Sequence, residues 1–387
     1  MPIKNRFAEL QEEITAWRRD FHEHPEILYD THRTASVVAD KLRAFGCDEV
    51  IEGIGRTGVV GVIRGKTDTA GRAIGIRGDM DALPMTETTG LPHASKTPGA
   101  MHACGHDGHT AMVLGAAKYL SETRNFDGTA IVIFQPAEEG GNGAEAMVQD
   151  GMMDRWGIDE VYAIHNAPGV PVGQFATRPG PFLAATDTFE ITIEGRGGHG
   201  AKPHDTVDST VLASQMIVAL QTIVSRNTDP VEHGVVTVGS VETSSNAYNV
   251  IPQKALLKGT VRSHNAEIQD QIERRIHEIA TGTAATFGGT ATVDYTRITP
   301  CTINDTEMTE HAIAAATGIA GDCAEAPIIM GGEDFSFMLQ ERPGAFMFLG
   351  NGDSAALHHP EYDFDDNAIP AGCSWYVEMV ERRMPAA

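Results

Sequence analysis

Four short apolar runs each stop at residues able to bind a metal or move a proton. That pattern constrains the fold more than any other feature of the chain. "AIGIRGDMDALP" (73–84) ends in Asp79 and Asp81, and "TAIVIFQPAEEG" (129–140) ends in Glu138 and Glu139. "EVYAIHNAP" (160–168) carries His165, and "GAFMFLGNG" (344–352) is soon followed by His358 and His359. Runs that are apolar on both faces belong to strands covered on both sides. The helical stretches "HTAMVLGAAKYLSET" (109–123) and "AEAMVQDGMM" (144–153) fall between them, giving the order of βαβ units around a mostly parallel sheet. In open sheets of this kind ligands bind beyond the carboxyl ends of the strands, where all four sets of polar residues would lie. The cluster "HACGHDGH" (102–109) leads into a helix at about residue 108 and can reach the same edge.

Upstream, Phe7, Leu10, Ile14, Trp17 and Phe21 recur at helical spacing and form one apolar stripe. His22 and His24 follow in "HEHPE", where the simplest reading is a helix end stopped by Pro25. The middle of the chain has a different texture. "TDTFEITIEGRG" (186–197) alternates like a half-exposed strand. After it come a helix (about 207–225), the strands "GVVTVGSVET" and "KALLKGTVRSH", a helix (about 265–287) and the strand "ATVDYTRI". This βαββαβ order is ferredoxin-like. The expected fold class is therefore α/β, with a mostly parallel-sheet domain (1–186 and 300–387) and an inserted α+β domain (187–299). The segments 176–185 and 299–305 are the expected entry and exit.

With 387 residues and 41% hydrophobic content the chain can bury two substantial cores. "VLASQMIVALQTIV" (211–224) is broken by polar residues and falls short of a membrane span of ~20 residues. "MPIKNRFAELQEEI" has neither the apolar stretch nor the cleavage site of a signal peptide, and five scattered cysteines suggest a reducing compartment, so the cytoplasm is expected. A formal net charge of −24 argues against nucleic acid or an anionic membrane as partner.

Three histidines, a cysteine and an aspartate within eight positions are too many ligands for one ion. Imidazole, carboxylate and thiolate together suit zinc, nickel, cobalt or manganese rather than calcium or magnesium. Two ions sharing a water would use the surplus. In "PAEEG" the neighbouring glutamates cannot face one point equally, so one would bind metal while the other serves as general base. In the inserted domain, "GRGGHGAKPH" (195–204) presents His199 on a glycine-rich turn. "AYNVIP" (247–252) and "GTVRSH" (259–264) contribute Asn249 and Arg262, and the arginine could pair with a carboxylate.

Taken together, "RGDMDALP", "MHACGHDGHTAM", "QPAEEG", "AIHNAP", "GRGGHGAKPH", "NVIP", "GTVRSH", "GGEDFSF" and "LHHPEYDFDD" resemble a known family in order and content. It is the hippurate hydrolase and N-acyl-amino-acid amidohydrolase branch of the dinuclear metallo-aminoacylase and carboxypeptidase superfamily. The resemblance covers essentially the whole chain. It implies two divalent ions per subunit (zinc, manganese, nickel or cobalt) held by Cys104, His106, Glu139, His165 and His358, with Glu138 as general base. It also implies that the insert is a lid and dimerisation domain. There His199 would stabilise the oxyanion of a partner subunit's site, while Asn249 and Arg262 would hold substrate. Other branches carry His-x-Asp where this chain has Asp79-Met80-Asp81, and bridge the metals with an aspartate. Here the bridge falls to Cys104, leaving Asp79 and Asp81 to orient a ligating histidine. His102 and His109 are expected to be structural or to support a ligand from behind, and Asp107 to cap the helix or to act as such a supporting partner, while Glu333 and Asp334 would line the pocket.

The expected activity is hydrolysis of an N-acyl amino acid to a carboxylate and a free amino acid by a homodimer or a dimer-based homo-oligomer. Alternatives on the same machinery are a dipeptidase or carboxypeptidase and a narrow N-acetyl-diamino-acid deacetylase. A non-catalytic ligand-binding homologue is disfavoured by the presence of all five ligands and Glu138.

Overall fold

The computed structural model describes residues 5–386. The chain divides into two compact units: the first comprises residues up to Phe182 together with Ile303–Pro327 and Asp334 onward. The second comprises Leu183–Thr302 and Ile328–Glu333. The boundaries expected from sequence place residues 328–333 with the first unit. They join the second because Leu183 bridges Ile329 in parallel and the Ala184 amide donates to the Gly331 carbonyl at 2.9 Å.

The first unit begins with α1 (Asn5–Glu23), whose buried residues include the whole stripe Phe7, Leu10, Ile14, Trp17 and Phe21. α2 (His32–Phe45) ends where Gly46 takes the left-handed conformation and its amide caps the last carbonyls. β1 (Glu49–Ile54) and β2 (Gly58–Arg64) form an antiparallel hairpin that sequence reasoning missed. β3 (Ala73–Asp79), β4 (Thr129–Gln135), β5 (Glu160–Ala167) and the strand Gly344–Gly350 pair in parallel in the spatial order β4, β3, β5, 344–350. These four lie at the centre of an eight-stranded mixed sheet with the hairpin beyond β4. Their residues are almost all buried, so the runs are apolar throughout instead of alternating. α3 (His106–Thr123) packs between α1 and the helix Ile369–Arg383, against β3.

The second unit contains a four-stranded antiparallel sheet. Its spatial order is Gly234–Thr243, Lys254–Ser263, Ala185–Glu194 and Thr290–Thr299. Phe189, Ile191 and Ile193 alternate with polar residues and bury against Leu212 and Met216 of one helix and Ile272 and Ile276 of another. Among the described residues no helix is long and apolar enough to cross a membrane. All five cysteines are free thiols.

Candidate metal centre

The carboxyl ends of β3, β4 and β5 deliver Asp79, Glu138 with Glu139, and His165 to one edge of the sheet. The loop after Gly344–Gly350 adds His358, and the start of α3 adds Cys104 and His106. Cys104 Sγ lies 3.3 Å from His165 Nε2, and His358 Nε2 lies 3.2 Å from a Glu139 oxygen. His106 Nε2 is 3.9 Å from Glu138 and 4.0 Å from Glu139. Ligand atoms lie within 4.8 Å of one another in Cys104–His106–His165, in Cys104–Glu139–His358 and in His106–Glu138–Glu139. Two non-glycine residues here adopt left-handed backbone, Ala137 at φ 52° and His358 at φ 63°. Such conformations persist where the surroundings over-determine them, as at ligand-binding sites.

The surrounding hydrogen bonds fix these groups in place. Asp81 does not reach out to bind. Its two oxygens accept from the backbone amides of Glu138 (2.9 Å) and Glu139 (3.1 Å), so it holds the glutamate pair by the main chain. Asp79 accepts from His109 Nδ1 at 2.7 Å and pairs with the buried Arg77 guanidinium at 2.7 Å. Burial alone would raise the Asp79 carboxyl, but Arg77 and the His106 and His109 rings hold it well below the usual carboxylate range. Asp81 is raised by burial. His165 is buried, which keeps its ring neutral, and its Nδ1 donates to the Asn166 carbonyl at 2.7 Å. Its Nε2 lone pair is thereby left facing Cys104.

Two observations test whether divalent ions fit. Neither ring nitrogen of the fully buried His106 completes a hydrogen bond, although Asp81 stands 3.4 Å from Nδ1. Buried ring nitrogens of this kind normally find a partner. Burial, with Glu139, Glu138 and Asp79 close by, also pushes the Cys104 thiol well above its ordinary value. An edge that gathers a thiol and several carboxylates needs positive charge to ionise fully. The donor set of thiolate, imidazoles and carboxylate supplies ligands suited to it.

Several expectations change. Asp107 is not the cap of α3, because Gly105 occupies that position without a side-chain bond. Instead Asp107 accepts from His22 Nδ1 at 2.8 Å and pairs with Arg18 at 3.3 Å, both fully buried. His22 is therefore no bystander at a helix end, since it ties α1 to the turn beside His106. His24 does end the helix, with Nδ1 on the Asp20 carbonyl. Asp334 anchors the core: it accepts from Gln135 at 2.7 Å, from the Ala144 amide at 2.9 Å and from Arg77 at 3.2 Å. Glu333 belongs to the second unit and is 2% exposed. His102 is buried without a hydrogen-bond partner, and burial lowers its ring to about 3.

In the second unit His199 and Asn249 share a small ribbon. His199 pairs with Val250, and the Gly200 amide donates to the Asn249 carbonyl at 2.7 Å. Both side chains are exposed. Arg262 is half-buried and folds back to donate to the Val261 carbonyl at 2.9 Å and to Thr260.

Sequence reasoning missed Arg77, Asn166, Tyr362 and the joint hold of Arg18 and His22 on Asp107. Only Asn166, next to His165, carried a positional signal.

Comparison with known proteins agrees with this architecture. The chain is 40% identical to a hippurate hydrolase from Campylobacter jejuni, over 96% of both chains. It is 38% identical to an N-acetyl-L-cysteine deacetylase from Bacillus subtilis, over 96% of this chain and 88% of the relative. The crystal structure of a dinuclear metal-binding peptidase from Bacillus subtilis superposes with a TM-score of 0.86 at 32% identity, covering 98% of this chain and 100% of that one. Residues 75–382, which hold every group at the strand edge described above, match one family's sequence profile, and the chain belongs to peptidase family M20/M25/M40.

Proposed function

We propose that this metal-dependent amidohydrolase cleaves the amide bond of N-acyl amino acids, of hippurate or N-acetyl-amino-acid type. The products are a carboxylate and a free amino acid. The observation that carries the reading is the convergence of Cys104, His106, Glu139, His165 and His358 at one strand edge, with Glu138 beside them. These five would hold two divalent ions, and the mixed donor set of thiolate, imidazoles and carboxylate favours zinc, manganese, nickel or cobalt. When bound, such a pair lowers the pKa of a shared water and polarises the substrate carbonyl.

The chain's own residues do the rest. Glu138 accepts the proton of the attacking water at its carboxylate and returns it to the leaving nitrogen. The Asp81 contacts to its backbone fix where that carboxylate starts from. His199 donates a hydrogen bond to the developing oxyanion, and Arg262 with Asn249 binds the amino acid's carboxylate. In this reading the second unit is the lid and dimerisation element of a cytoplasmic homodimer or dimer-based homo-oligomer. Two relatives support the substrate class: one is named for hippurate and the other for N-acetylcysteine, and both compounds are N-acylated amino acids.

The test is Glu138→Gln, assayed against a panel of benzoyl and acetyl amino acids and dipeptides with each of the four metals. Metal content should stay at two per chain while turnover falls by a factor on the order of 10³. Full activity in the variant would remove Glu138 from its role. A wild-type preference for dipeptides would reassign the substrate.

A further inference from the structure

One glycine, Gly105, separates Cys104 from His106, and what surrounds it is unusual. Its φ is +83°, and a Cβ placed there would overlap Asn166 Nδ2 and the Tyr362 hydroxyl. Asn166 directly follows His165 on β5, and Tyr362 lies in the loop that carries His358. Three segments bearing proposed ligands therefore meet at one backbone position.

Asn166 links them through both its side chain and its main chain. Its Nδ2 donates to the Cys104 carbonyl at 2.5 Å, and its Oδ1 accepts from the Tyr362 hydroxyl at 2.6 Å. Its amide donates to His109 Nε2 at 2.9 Å, while its carbonyl accepts from His165 Nδ1 at 2.7 Å. The last two bonds set the tautomers of both rings. His109 keeps its proton on Nδ1 for Asp79, and His165 presents a bare Nε2 toward Cys104. Asn166 is 1% exposed and Tyr362 fully buried. A phenylalanine would fill the same apolar space, so packing does not account for the hydroxyl.

We propose that Asn166 and Tyr362 are positioning residues that preset the metal site before any ion arrives, acting as a neutral clamp on the Gly105 turn. The proposal rests on the ligand set given above. A side chain that only stabilises the fold supports metal-free and metal-loaded protein equally and leaves metal affinity untouched. A positioning side chain supports the loaded state more.

The experiment titrates cobalt(II) into metal-free wild type, Tyr362→Phe, Asn166→Asp and Cys104→Ser. It records the sulfur-to-cobalt absorption band, the affinity against a chromophoric chelator, and the melting temperature with and without metal. Tyr362→Phe should weaken at least one ion by about tenfold, alter the cobalt spectrum and narrow the melting gap between metal-free and loaded protein. Asn166→Asp, which loses the donor to Cys104, should weaken binding by up to about 100-fold. If it fails to fold, Tyr362→Phe alone decides. Unchanged affinity and spectrum in Tyr362→Phe, with the band lost in Cys104→Ser, would overturn the clamp and leave the ligand set standing. A wild-type band indifferent to Cys104→Ser would overturn both.

Discussion

"HACGHDGH" of the first unit and "GRGGHGAKPH" of the second both set histidine beside glycine in a turn. In the folded chain they are opposites. Every residue from 102 to 109 is buried, whereas His199 and its neighbours through His204 are exposed. The first turn is crowded on both sides, by Asn166 and Tyr362 at Gly105 and by Arg18 and His22 at Asp107. The other is held by local bonds of its own, the Lys202 amide donating to the His199 carbonyl at 2.8 Å and the Ala201 amide to His199 Nδ1 at 3.0 Å. Histidine beside glycine thus ends up in two opposite settings: a buried turn crowded from both sides, and an exposed one.

Gly105→Ala attacks that contrast where it is sharpest. Left-handed backbone and overlap with two buried side chains should cost more than about 4 kcal/mol, and metal binding should be lost. A variant that melts like wild type and binds two ions would show that the turn is not rigid. His199→Ala probes the other side. Turnover should fall by about 10²–10³ while metal content is unchanged, the signature of a group that touches only the reacting substrate. Loss of metal would place His199 in the cradle instead.

A subtler test uses pH. Burial would lower the His22 ring, but Asp107 and Glu87 raise it to about 9, while His22 with Thr89 and the Ser95 amide brings Glu87 down to about 2. A raised histidine stabilises fully below its unfolded value, and its contribution fades as pH climbs through the folded value. A lowered carboxylate contributes fully above its unfolded value and fades as pH falls. Both contributions are complete between about pH 4.5 and 6.5. Above that window stability from this pair should decline by on the order of 2 kcal/mol as pH rises through about 9. His22→Asn, which can still donate to Asp107 from the Nδ1 position, should flatten the pH dependence of melting. An unaltered slope would assign it elsewhere. Smallest of all, Gly200→Ala places a Cβ 3.1 Å from the Asn249 backbone in an exposed ribbon. It should shift stability by under about 1 kcal/mol. A Gly105-sized loss there would erase the contrast.

The sequence showed the parallel core because four runs were apolar on both faces, and it showed the strand edge because polar residues followed each run. It was weaker wherever meaning depends on distant partners. Arg18 sits beside the apolar stripe of α1 and reads as solvent-facing, yet it is fully buried on Asp107 and on Asp366, at 2.8 Å from the latter. Asp107 suited a cap by position, and only the fold reveals His22 opposite it. Tyr362 had no local signal at all, since its role depends on Asn166, 196 positions away. The β1–β2 hairpin was missed because β1 is half-exposed and short.

Residues 328–333 bear on how such a protein can be recombined. The second unit resembles a cassette cut at 183 and 302, but it borrows this later stretch. Grafting only 183–302 into a relative would leave the Ala184 amide and His264 Nε2 dependent on how the relative's own stretch places the carbonyls that Gly331 and Ile329 supply here, the latter at 2.7 Å. Any exchange that preserves both would have to transplant two stretches of chain together. The backbone path of one is therefore tied to that of the other, although 25 residues separate Thr302 from Ile328.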